Sequence, residues 1–517
     1  MMLNTLRRVE FDALKEELAK IEMEKAELDV RLKNLSTSIA ASKTRLSMLA
    51  PINILPDDVM VEVLLMAYQH RFPHCRFDRG LYYTNSPVAF AMVCRRWRHL
   101  ALSMPGLWTC IHVTRHQGEQ CEEMIKLYFE RSKGRALSFF FMCHTEPVDE
   151  VEEFDVDWPG FEDTIWPRFR STWALLLSQA HRWKNCALYS THEEVAAHLA
   201  RSLSGRILPR LESFSHLLYS EHYWRSRSVQ FFAPNLARLQ LMNVSARYPI
   251  TDAFRRLTEL KLSSGIRLEE LTRILQLCSQ TLASLTLTHM HLPDSFDEDA
   301  IPPSSISLPR LRFLALYDYS EHWPVSSPVL SRLLHGCPML ETLVAECTSV
   351  LAIEFLSGRI QKLATVKTLR CDESFYAIRH VSSTLIRPFP SLEELELFDV
   401  PQLEVFDIIN AHDSPEVVAW PFLRSLLLHE YLHEDILLAV VKHLVDVGCP
   451  LRNVKVSAKT MRSLSLQSRQ TLGGLYRIDL SCYEEDHYYE WSLDWHMDRD
   501  GPICSPWNGS IDFWDQF

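Results

Sequence analysis

Apolar residues in the first 50 positions recur at alternating steps of three and four. Positions 11, 14, 18, 21, 25, 28, 32, 35, 39, 42, 46 and 49 are the a and d positions of a heptad, and ten of these twelve residues are apolar. The segment holds no Gly and no Pro before Pro51. The pattern therefore predicts one long helix over residues 1–50 with a narrow apolar seam.

A seam of a and d residues alone is narrower than the apolar face of a globular helix, so it favours pairing with another chain. We predict a possible homo-oligomer through residues 11–49. The alternative is a long helix that folds back on the rest of its own chain. Lys25 at an a position weakens the seam and favours one register, but it does not decide between dimer and trimer.

A second pattern, apolar-x-x-apolar-x-apolar, dominates the chain from residue 236 onward. Ten such units begin at Leu236, Leu257, Leu282, Leu311, Leu340, Val366, Leu392, Leu423, Leu451 and Leu475. Weaker units begin at Trp108, Ala136, Trp183 and Leu211. The spacing is that of leucine-rich repeats, slightly stretched, and predicts short parallel strands that stack their leucines into one core.

Other features complete this predicted solenoid. The segments "LEELTRILQLCS" and "DILLAVVKHLVDVG" are predicted helices of its outer wall, and Pro before a strand leucine, as in "LPRLRFL", closes the preceding turn. Residues 145–167 carry nine acidic residues and no Lys or Arg, which is typical of a solvated insertion. Residues 483–517 are rich in Tyr and Trp and form a terminal cap or a partner-binding tail.

Between the long helix and the repeats lie two amphipathic segments, "ILPDDVMVEVLLMAYQH" and "SPVAFAMVCRRWRHLALSMPGLW". Pro56 suits the first turn of a helix, and Asp57 and Asp58 suit its positive N-terminus. Together these segments predict a small helical unit that exposes more apolar surface than it can bury.

Their residues resemble the F-box motif, and the whole chain resembles F-box proteins with leucine-rich repeats of the type abundant in fungi. The resemblance implies a substrate receptor of a cullin-RING ubiquitin ligase, in which the box binds a Skp-family adaptor and the repeats bind a protein target. The adaptor contacts that it implies are Leu55, Pro56, Val59, Val63, Val93, Cys94, Trp97, Pro105, Leu107 and Trp108. The segment "HRFPHCRFDRGLYYTN" makes the loop after the first box helix longer than the compact family pattern.

The expected fold class is therefore α/β: a coiled-coil helix (1–50), a helical F-box (51–110), a leucine-rich-repeat solenoid with a parallel sheet on its concave face (111–482), and the C-terminal cap or tail (483–517). Strand side chains alternate, so the residues between the buried leucines face the concave side. Aromatic and charged residues among them are the predicted target-binding set: Phe313, Tyr317, Arg370, Glu396 and Phe398.

Composition narrows the functional classes. A formal net charge of −12 argues against a nucleic-acid partner, and there is neither a run of 18 apolar residues nor a signal peptide, so we expect no membrane partner and a cytoplasmic or nuclear location. The 13 cysteines have no C-x-x-C spacing and are expected to be reduced, mostly buried thiols.

No catalytic motif is present, so no enzyme activity and no cofactor are expected. His70, His74 and Cys75 have only loosely metal-like spacing, and His487 and His496 lie among acidic residues. Both groups are predicted to be ordinary surface residues. The alternative function is a non-ligase scaffold that oligomerises through its coiled coil.

Overall fold

The fold comes from a computed structural model of the 517-residue chain. The described residues are 2–48, 51–69, 87–113, 121–143, 166–190, 193–218, 231–242, 252–263, 268–288, 307–317, 333–346, 363–371, 389–398, 420–429 and 431–482. Those up to Met104 form one compact unit, here the helical unit, and those from Pro105 onward form the repeat unit. Within the described ranges, no helix is long and apolar enough to cross a membrane.

The described residues of the helical unit form five helices. They are α1 (Met2–Met48), α2 (Pro51–Ile54), α3 (Asp57–Gln69), α4 (Pro87–Val93) and α5 (Arg95–Ser103). The predicted long N-terminal helix is confirmed as α1. Asp57 and Asp58 occupy the first turn of α3, where carboxylates favour the helix dipole, and Pro87 begins α4, where its missing N–H costs nothing.

The repeat unit is built on a sheet of fourteen parallel strands. The strands of this sheet are β1 (Cys110–Val113), β2 (Leu137–Cys143), β3 (Trp183–Ser190), β5 (Ser213–Leu218), β7 (Arg238–Met242), β8 (Glu259–Ser263), β9 (Ser284–Thr288), β10 (Phe313–Tyr317), β11 (Thr342–Glu346), β12 (Thr368–Cys371), β13 (Glu394–Leu397), β14 (Ser425–Leu428), β15 (Asn453–Val456) and β16 (Asp479–Cys482). β4 (Arg206–Ile207) and β6 (Phe231–Phe232) form a separate parallel pair. The predicted parallel sheet is confirmed, with one strand for each of the fourteen predicted units.

Helices connect several of these strands. The α-helices are α6 (Cys121–Arg131), α7 (Trp166–Ser178), α8 (Glu193–Leu203), α9 (Leu268–Cys278), α10 (Glu434–Asp446), α11 (Ala458–Ser463) and α12 (Leu466–Gln470). Short 3-10 turns cover Pro105–Trp108, Ala180–Arg182 and Asp252–Arg256, and a π-helical turn covers Thr471–Leu475. The two helices predicted from sequence are confirmed as α9 and α10.

One face of the sheet, here the leucine face, carries the core. Its two rows of side chains run through the sheet in register, and members such as Leu285, Leu314 and Leu343 are at most 1% exposed. Each strand alone leaves this face uncovered, so stacking of neighbours is what buries it. Leu426 and Val454 continue the same row at full burial.

The proline before the strand leucine has a defined position in six repeats. The N–H of the leucine donates to the carbonyl three residues earlier, for example Leu311 to Leu308 at 3.1 Å and Leu340 to Cys337 at 3.2 Å. The same turn precedes the strands that follow Pro209, Pro234, Pro390 and Pro421. Proline therefore occupies the second position of a β-turn, where its fixed φ is favourable.

The last repeat differs from its prediction. The unit "LYRIDL" places Ile478 opposite Val454, whereas the structure pairs Leu480 with Val454 and Cys482 with Val456. The strand therefore lies two residues further along the chain. The period-2 alternation of a strand keeps the same faces after such a shift.

Candidate functional site

Helix α3 has two apolar faces, and only one of them is covered. Met60, Leu64 and Tyr68 follow each other at steps of four and are at most 6% exposed. Val59, Val63 and Met66 lie on the other side and are 41, 36 and 56% exposed. We call these three residues the α3 outer row. A row of large apolar side chains on one exposed helix face is the kind of surface that a protein partner covers.

Helix α4 adds further apolar exposure to the helical unit. Met92 and Val93 at its C-terminal end are 61 and 60% exposed, while the neighbouring Ala91 is fully buried. Ile54, at the end of α2, is 74% exposed. The helical unit therefore presents apolar side chains on three helices, which fulfils the expectation of more apolar surface than the unit can bury.

Arg96 joins the start of α5 to the start of α3. Its Nε donates to Asp57 Oδ1 at 2.8 Å, a terminal N–H donates to the same oxygen at 2.6 Å, and another contact reaches the Leu55 carbonyl. A guanidinium that bridges a carboxylate and a backbone carbonyl holds both in place, since its donors form a rigid fork. The backbone at Leu55 and Pro56 is thus anchored to the second predicted box segment.

The predicted adaptor residues of the helical unit differ in their surroundings. Pro56, Val59, Val63 and Val93 are exposed, and Leu55 is partly buried. These five residues therefore have solvent-accessible surface.

Cys94 and Trp97 lie at the N-terminus of α5. Cys94 is the N-cap residue, and its sulfur accepts the Trp97 backbone N–H at 3.5 Å, so it has a capping role. The Trp97 ring is partly buried, with its centroid 6.4 Å from that of Phe90. Its indole N–H has no acceptor among the described residues.

The other three predicted adaptor residues belong to the repeat unit. Leu107 and Trp108 are completely buried in the 3-10 turn before β1, and the Trp108 ring packs edge-on against Tyr128 of α6 at 5.1 Å. Pro105 begins this turn and is partly buried. Because Leu107 and Trp108 have no exposed surface, their position is that of core residues in the first repeat.

The second face of the sheet, here the mixed face, carries the predicted target-binding residues. Its central row runs in register through all fourteen strands: His112, Phe140, Ala187, Ser215, Gln240, Lys261, Thr286, Ala315, Val344, Arg370, Glu396, Leu427, Lys455 and Ser481. The row is apolar at β2 and β3, polar from β5 to β9, apolar again at β10 and β11, and charged at β12 and β13. Consecutive repeats thus present different chemistry on one backbone frame.

Phe313 and Tyr317 lie in the second apolar part of this face. Tyr317 packs with Ala315 and Val344 in a buried cluster and is only 2% exposed, and Phe313 packs against the edge of that cluster while remaining partly exposed. Of these two predicted target-binding residues, Phe313 therefore has more solvent-accessible surface.

Arg370, Glu396 and Phe398 are brought together on neighbouring strands, with His429 as a fourth member. Glu396 Oε2 lies 2.5 Å from Arg370 Nε, and Oε1 lies 2.7 Å from His429 Nε2. Phe398 stacks on the His429 ring with centroids 4.1 Å apart. Glu396 is 4% exposed, so its carboxylate serves an internal network that orients Arg370 and His429.

Glu394 lies on the same strand as Glu396, and the charges of the network affect its pKa. Burial raises the pKa of the Glu394 carboxyl, and the negative charge of Glu396 raises it further, while Arg370 and Lys455 act in the opposite direction. Two carboxylates on adjacent positions of the same face thus have different surroundings: Glu396 is paired with Arg370 and His429, and Glu394 is partly desolvated.

Two histidines in strands of the sheet have lowered pKa values. His216 occupies a leucine-face position between Leu188 and Leu241 and is 1% exposed, and burial lowers its pKa to about 4. Neither of its ring nitrogens has a hydrogen-bond partner among the described residues. His112 is partly buried by surface area, desolvation lowers its pKa to about 4, and its ring lies 3.4 Å from the Cys110 sulfur. The sequence analysis singled out neither residue.

The described cysteines form no disulfide, and most are buried. Burial raises the pKa of the Cys278 and Cys337 thiols to about 12, which keeps them protonated. In the described part of the chain, no three His, Cys, Asp or Glu residues are grouped as metal ligands. His70, His74, Cys75, His487 and His496 lie outside the described residues.

The observed fold defines the class of a repeat protein with a long parallel sheet and a helical N-terminal unit. No family model matches the chain, and no curated protein matches it. Among solved structures, the chain is similar to one described as "Crystal structure of Rad7 and Elc1 complex in yeast", with 14% identity over 89% of this chain and 94% of that one. The TM-score of 0.33 is too low for this likeness to carry an argument.

Proposed function

We propose that this protein is the substrate-recognition subunit of a Skp-cullin-F-box ubiquitin ligase. In this role the helical unit binds a Skp-family adaptor, and the mixed face of the sheet binds a protein target. The observation that carries the proposal is the α3 outer row, Val59, Val63 and Met66, exposed opposite the buried face of the same helix. The order of the L-P, V-C-R-x-W and P-G-L-W elements in the sequence gives the adaptor as its partner.

The energetics of the outer row suit a docking surface. Full burial of a valine or methionine side chain contributes about 1.5 to 3 kcal/mol, so covering the exposed parts of Val59 and Val63 contributes about 1 kcal/mol each. Leu55, Pro56 and Val93 extend this contact in our proposal. Arg96 supports it by fixing the backbone of Leu55, and it needs no contact with the adaptor itself.

Leu107 and Trp108 have a different part in this proposal. Because both are fully buried, we assign them to the stability of the first repeat, together with Pro105, which starts their turn. Cys94 acts through the cap of α5, and Trp97 offers the exposed part of its half-buried ring to the adaptor.

For the target, we propose contacts along the mixed face at Phe313 and Arg370, which are partly exposed, whereas Phe398 is only 9% exposed and acts through its stacking on His429. Tyr317 and Glu396 support them from beneath, since both are buried and each packs against or pairs with a neighbour in the same part of the sheet. The contribution of such a receptor to ubiquitin transfer is proximity, and the bond-forming chemistry belongs to its partners.

The test is co-purification of the full chain with a Skp-family adaptor, comparing wild type with Val59→Asp/Val63→Asp. Both positions are exposed, so the variant keeps the fold, but two carboxylates in an apolar contact weaken adaptor binding at least about hundredfold. The matched control is Asn453→Asp/Gln467→Asp, which adds two acidic residues at exposed positions of the repeat unit and leaves binding unchanged.

Two results would overturn the proposal. One is a well-folded wild-type chain that forms no complex with the adaptor, and this result would favour the oligomeric scaffold. The other is full binding by the Val59→Asp/Val63→Asp variant, which would show that the outer row is not the docking surface.

A further inference from the structure

We infer that α1 pairs in antiparallel orientation with α1 of a second copy of this chain. The inference concerns a surface that adaptor binding does not use, so it stands independently of the proposed ligase role. It specifies both the occupant of the apolar seam and its direction, which the heptad pattern alone leaves open.

The seam on α1 is fully exposed. The side chains that the structure describes between Leu14 and Ile39 are all exposed, and the large apolar members of the seam are each more than half exposed. These members are Leu14, Leu18, Ile21, Leu28, Leu32, Leu35 and Ile39. An apolar row of this length in water is strongly unfavourable, and covering it with an identical row buries every member on both copies.

The charge distribution along α1 selects the direction. Residues 9–29 contain eight acidic and three basic residues, a net charge of −5, whereas residues 30–48 contain four basic residues and no acidic one. A parallel pair places like charge beside like charge over both halves. An antiparallel pair places the acidic half of each copy beside the basic half of the other, which is favourable in both halves.

Lys25 gives a second, separate reason. In a parallel dimer each a residue faces the same a residue of the partner, so two Lys25 ammonium groups would meet in one layer of the seam. In an antiparallel dimer a residues face d residues. Lys25 then lies opposite the partner's Leu35, where its aliphatic stem packs and its ammonium group reaches solvent.

One register satisfies both requirements. If Lys25 faces the partner's Leu35, then Leu32 faces the partner's Leu28 and Ile39 faces the partner's Ile21. The midpoint of this overlap is residue 30, which is also where the net charge of the helix changes sign. The apolar layers and the charged halves therefore come into alignment together.

The direction determines how the two copies are arranged. In this register the two Met48 residues lie about 54 Å apart along the rod, since 36 residues of helix separate their heights. A parallel pair would hold them about 10 Å apart. The antiparallel dimer thus holds the C-terminal ends of its two α1 helices far apart.

The first experiment reverses the basic half in the full-length chain: Arg31→Glu, Lys33→Glu, Lys43→Glu and Arg45→Glu, all exposed positions. Sedimentation equilibrium is expected to show self-association weakened at least about tenfold at low salt. The matched rescue variant adds Glu16→Lys, Glu17→Lys, Glu22→Lys and Glu24→Lys, which restores opposite charge between the halves and the wild-type affinity.

A parallel dimer predicts a different pattern, because reversing a half leaves like charge beside like charge. Equal affinity for wild type, reversal and rescue variants would therefore overturn the inference, as would a wild-type chain that is monomeric at the highest concentration tested. Salt dependence of the wild-type dimer gives a readout without any substitution: salt weakens the antiparallel pair and would strengthen a parallel one.

A covalent test fixes the register. The sequence has no cysteine before Cys75, so Ile21→Cys/Ile39→Cys introduces two thiols into a segment that otherwise has none. Oxidation is expected to join residue 21 of one copy to residue 39 of the other, identified by mass spectrometry of the linked peptides. The two positions are about 27 Å apart on one helix, so the link cannot form within a chain. Links of 21 to 21 and 39 to 39 would refute the antiparallel arrangement.

Discussion

Replacing His216 with leucine is expected to stabilise the repeat unit and to remove part of its acid sensitivity. The position belongs to the leucine face, in the row that contains Leu188, Leu241 and Leu262. His216 is 1% exposed, and its two ring nitrogens have no hydrogen-bond partner among the described residues. Leucine fills a similar space without any polar atom to desolvate.

Two contributions determine the expected change in the free energy of unfolding. At pH 7 the histidine is neutral, and relief of an unsatisfied buried polar group stabilises the variant by about 1 to 3 kcal/mol. At lower pH a second contribution appears, because the unfolded histidine binds a proton with a pKa of 6.5 and the folded one only near a pKa of about 4. Wild-type stability is therefore lost as pH falls from about 6.5 to about 4, by about 2 kcal/mol between pH 7 and pH 5.

The assay is urea unfolding of the full-length chain at pH 7 and pH 5, followed by circular dichroism. His112, with its own lowered pKa, is present in wild type and variant alike, so its contribution cancels in the comparison. His181→Gln removes an exposed histidine and serves as the control. A His216→Leu variant that is less stable than wild type at pH 7, or whose advantage is the same at both pH values, would refute the reasoning.

Two further predictions concern the C-terminal half of the repeat unit. Glu396→Ala leaves Arg370 and His429 close together without their carboxylate and is expected to lower the free energy of unfolding by about 3 kcal/mol, measured in urea. Glu394→Gln, at a carboxyl whose pKa is raised by burial, is the control and should cost little; equal effects of the two would contradict the network. Hydrogen bonds from Ser465 and Ser468 lower the pKa of Glu434 to about 2, so its stabilising effect is present above the unfolded pKa of 4.5 and is lost as pH falls towards 2. The difference in melting temperature between wild type and Glu434→Gln should thus be larger at pH 7 than at pH 3, and a constant difference would rule out this role.

The strands of the repeat unit were predictable because burial and spacing are linked. Each strand places two side chains on the leucine face, so even weak units such as those at Ala136 and Leu211 align with the row that includes Phe139 and Phe214. The prediction placed the last repeat two residues too early for a local reason. Helix α12 continues into a π-helical turn, and Leu472 in this turn is buried. The strand therefore begins after the first segment that matches the apolar repeat pattern.

The helical unit was predictable as amphipathic, but its internal support was not. Arg96 and Asp57 are 39 residues apart, and no periodicity connects them. For Leu107 and Trp108, the sequence did predict a role, but the structure gives them a different one. As part of a sequence motif they look like contact residues, yet their place before β1 makes them core residues of the sheet. Hydrophobicity alone does not separate a side chain that a partner covers from one that the fold covers.

The network on the mixed face could have been predicted from the sequence. Arg370 and Glu396 are 26 residues apart, which is one step of the repeat, and the observed register pairs them directly. Phe398 and His429 directly follow the paired ends of β13 and β14, Leu397 and Leu428, so aligned repeats place them side by side. Comparing the same position in neighbouring repeats would have found all four residues.

The alignment of the repeats also bears on where a target would bind in the proposed function. Glu396 is paired with Arg370 and His429, so the network contributes a defined shape, including the stacked pair of Phe398 and His429, more than a net charge. The polar part from β5 to β9 differs, because Gln240 and Lys261 remain partly exposed. In the proposed role, a target that lies along the central row would therefore meet hydrogen-bonding side chains first, the partly exposed Phe313 next and Arg370 of the network last. Specificity then depends on the order of these surfaces along the sheet, since every repeat presents them on the same backbone frame.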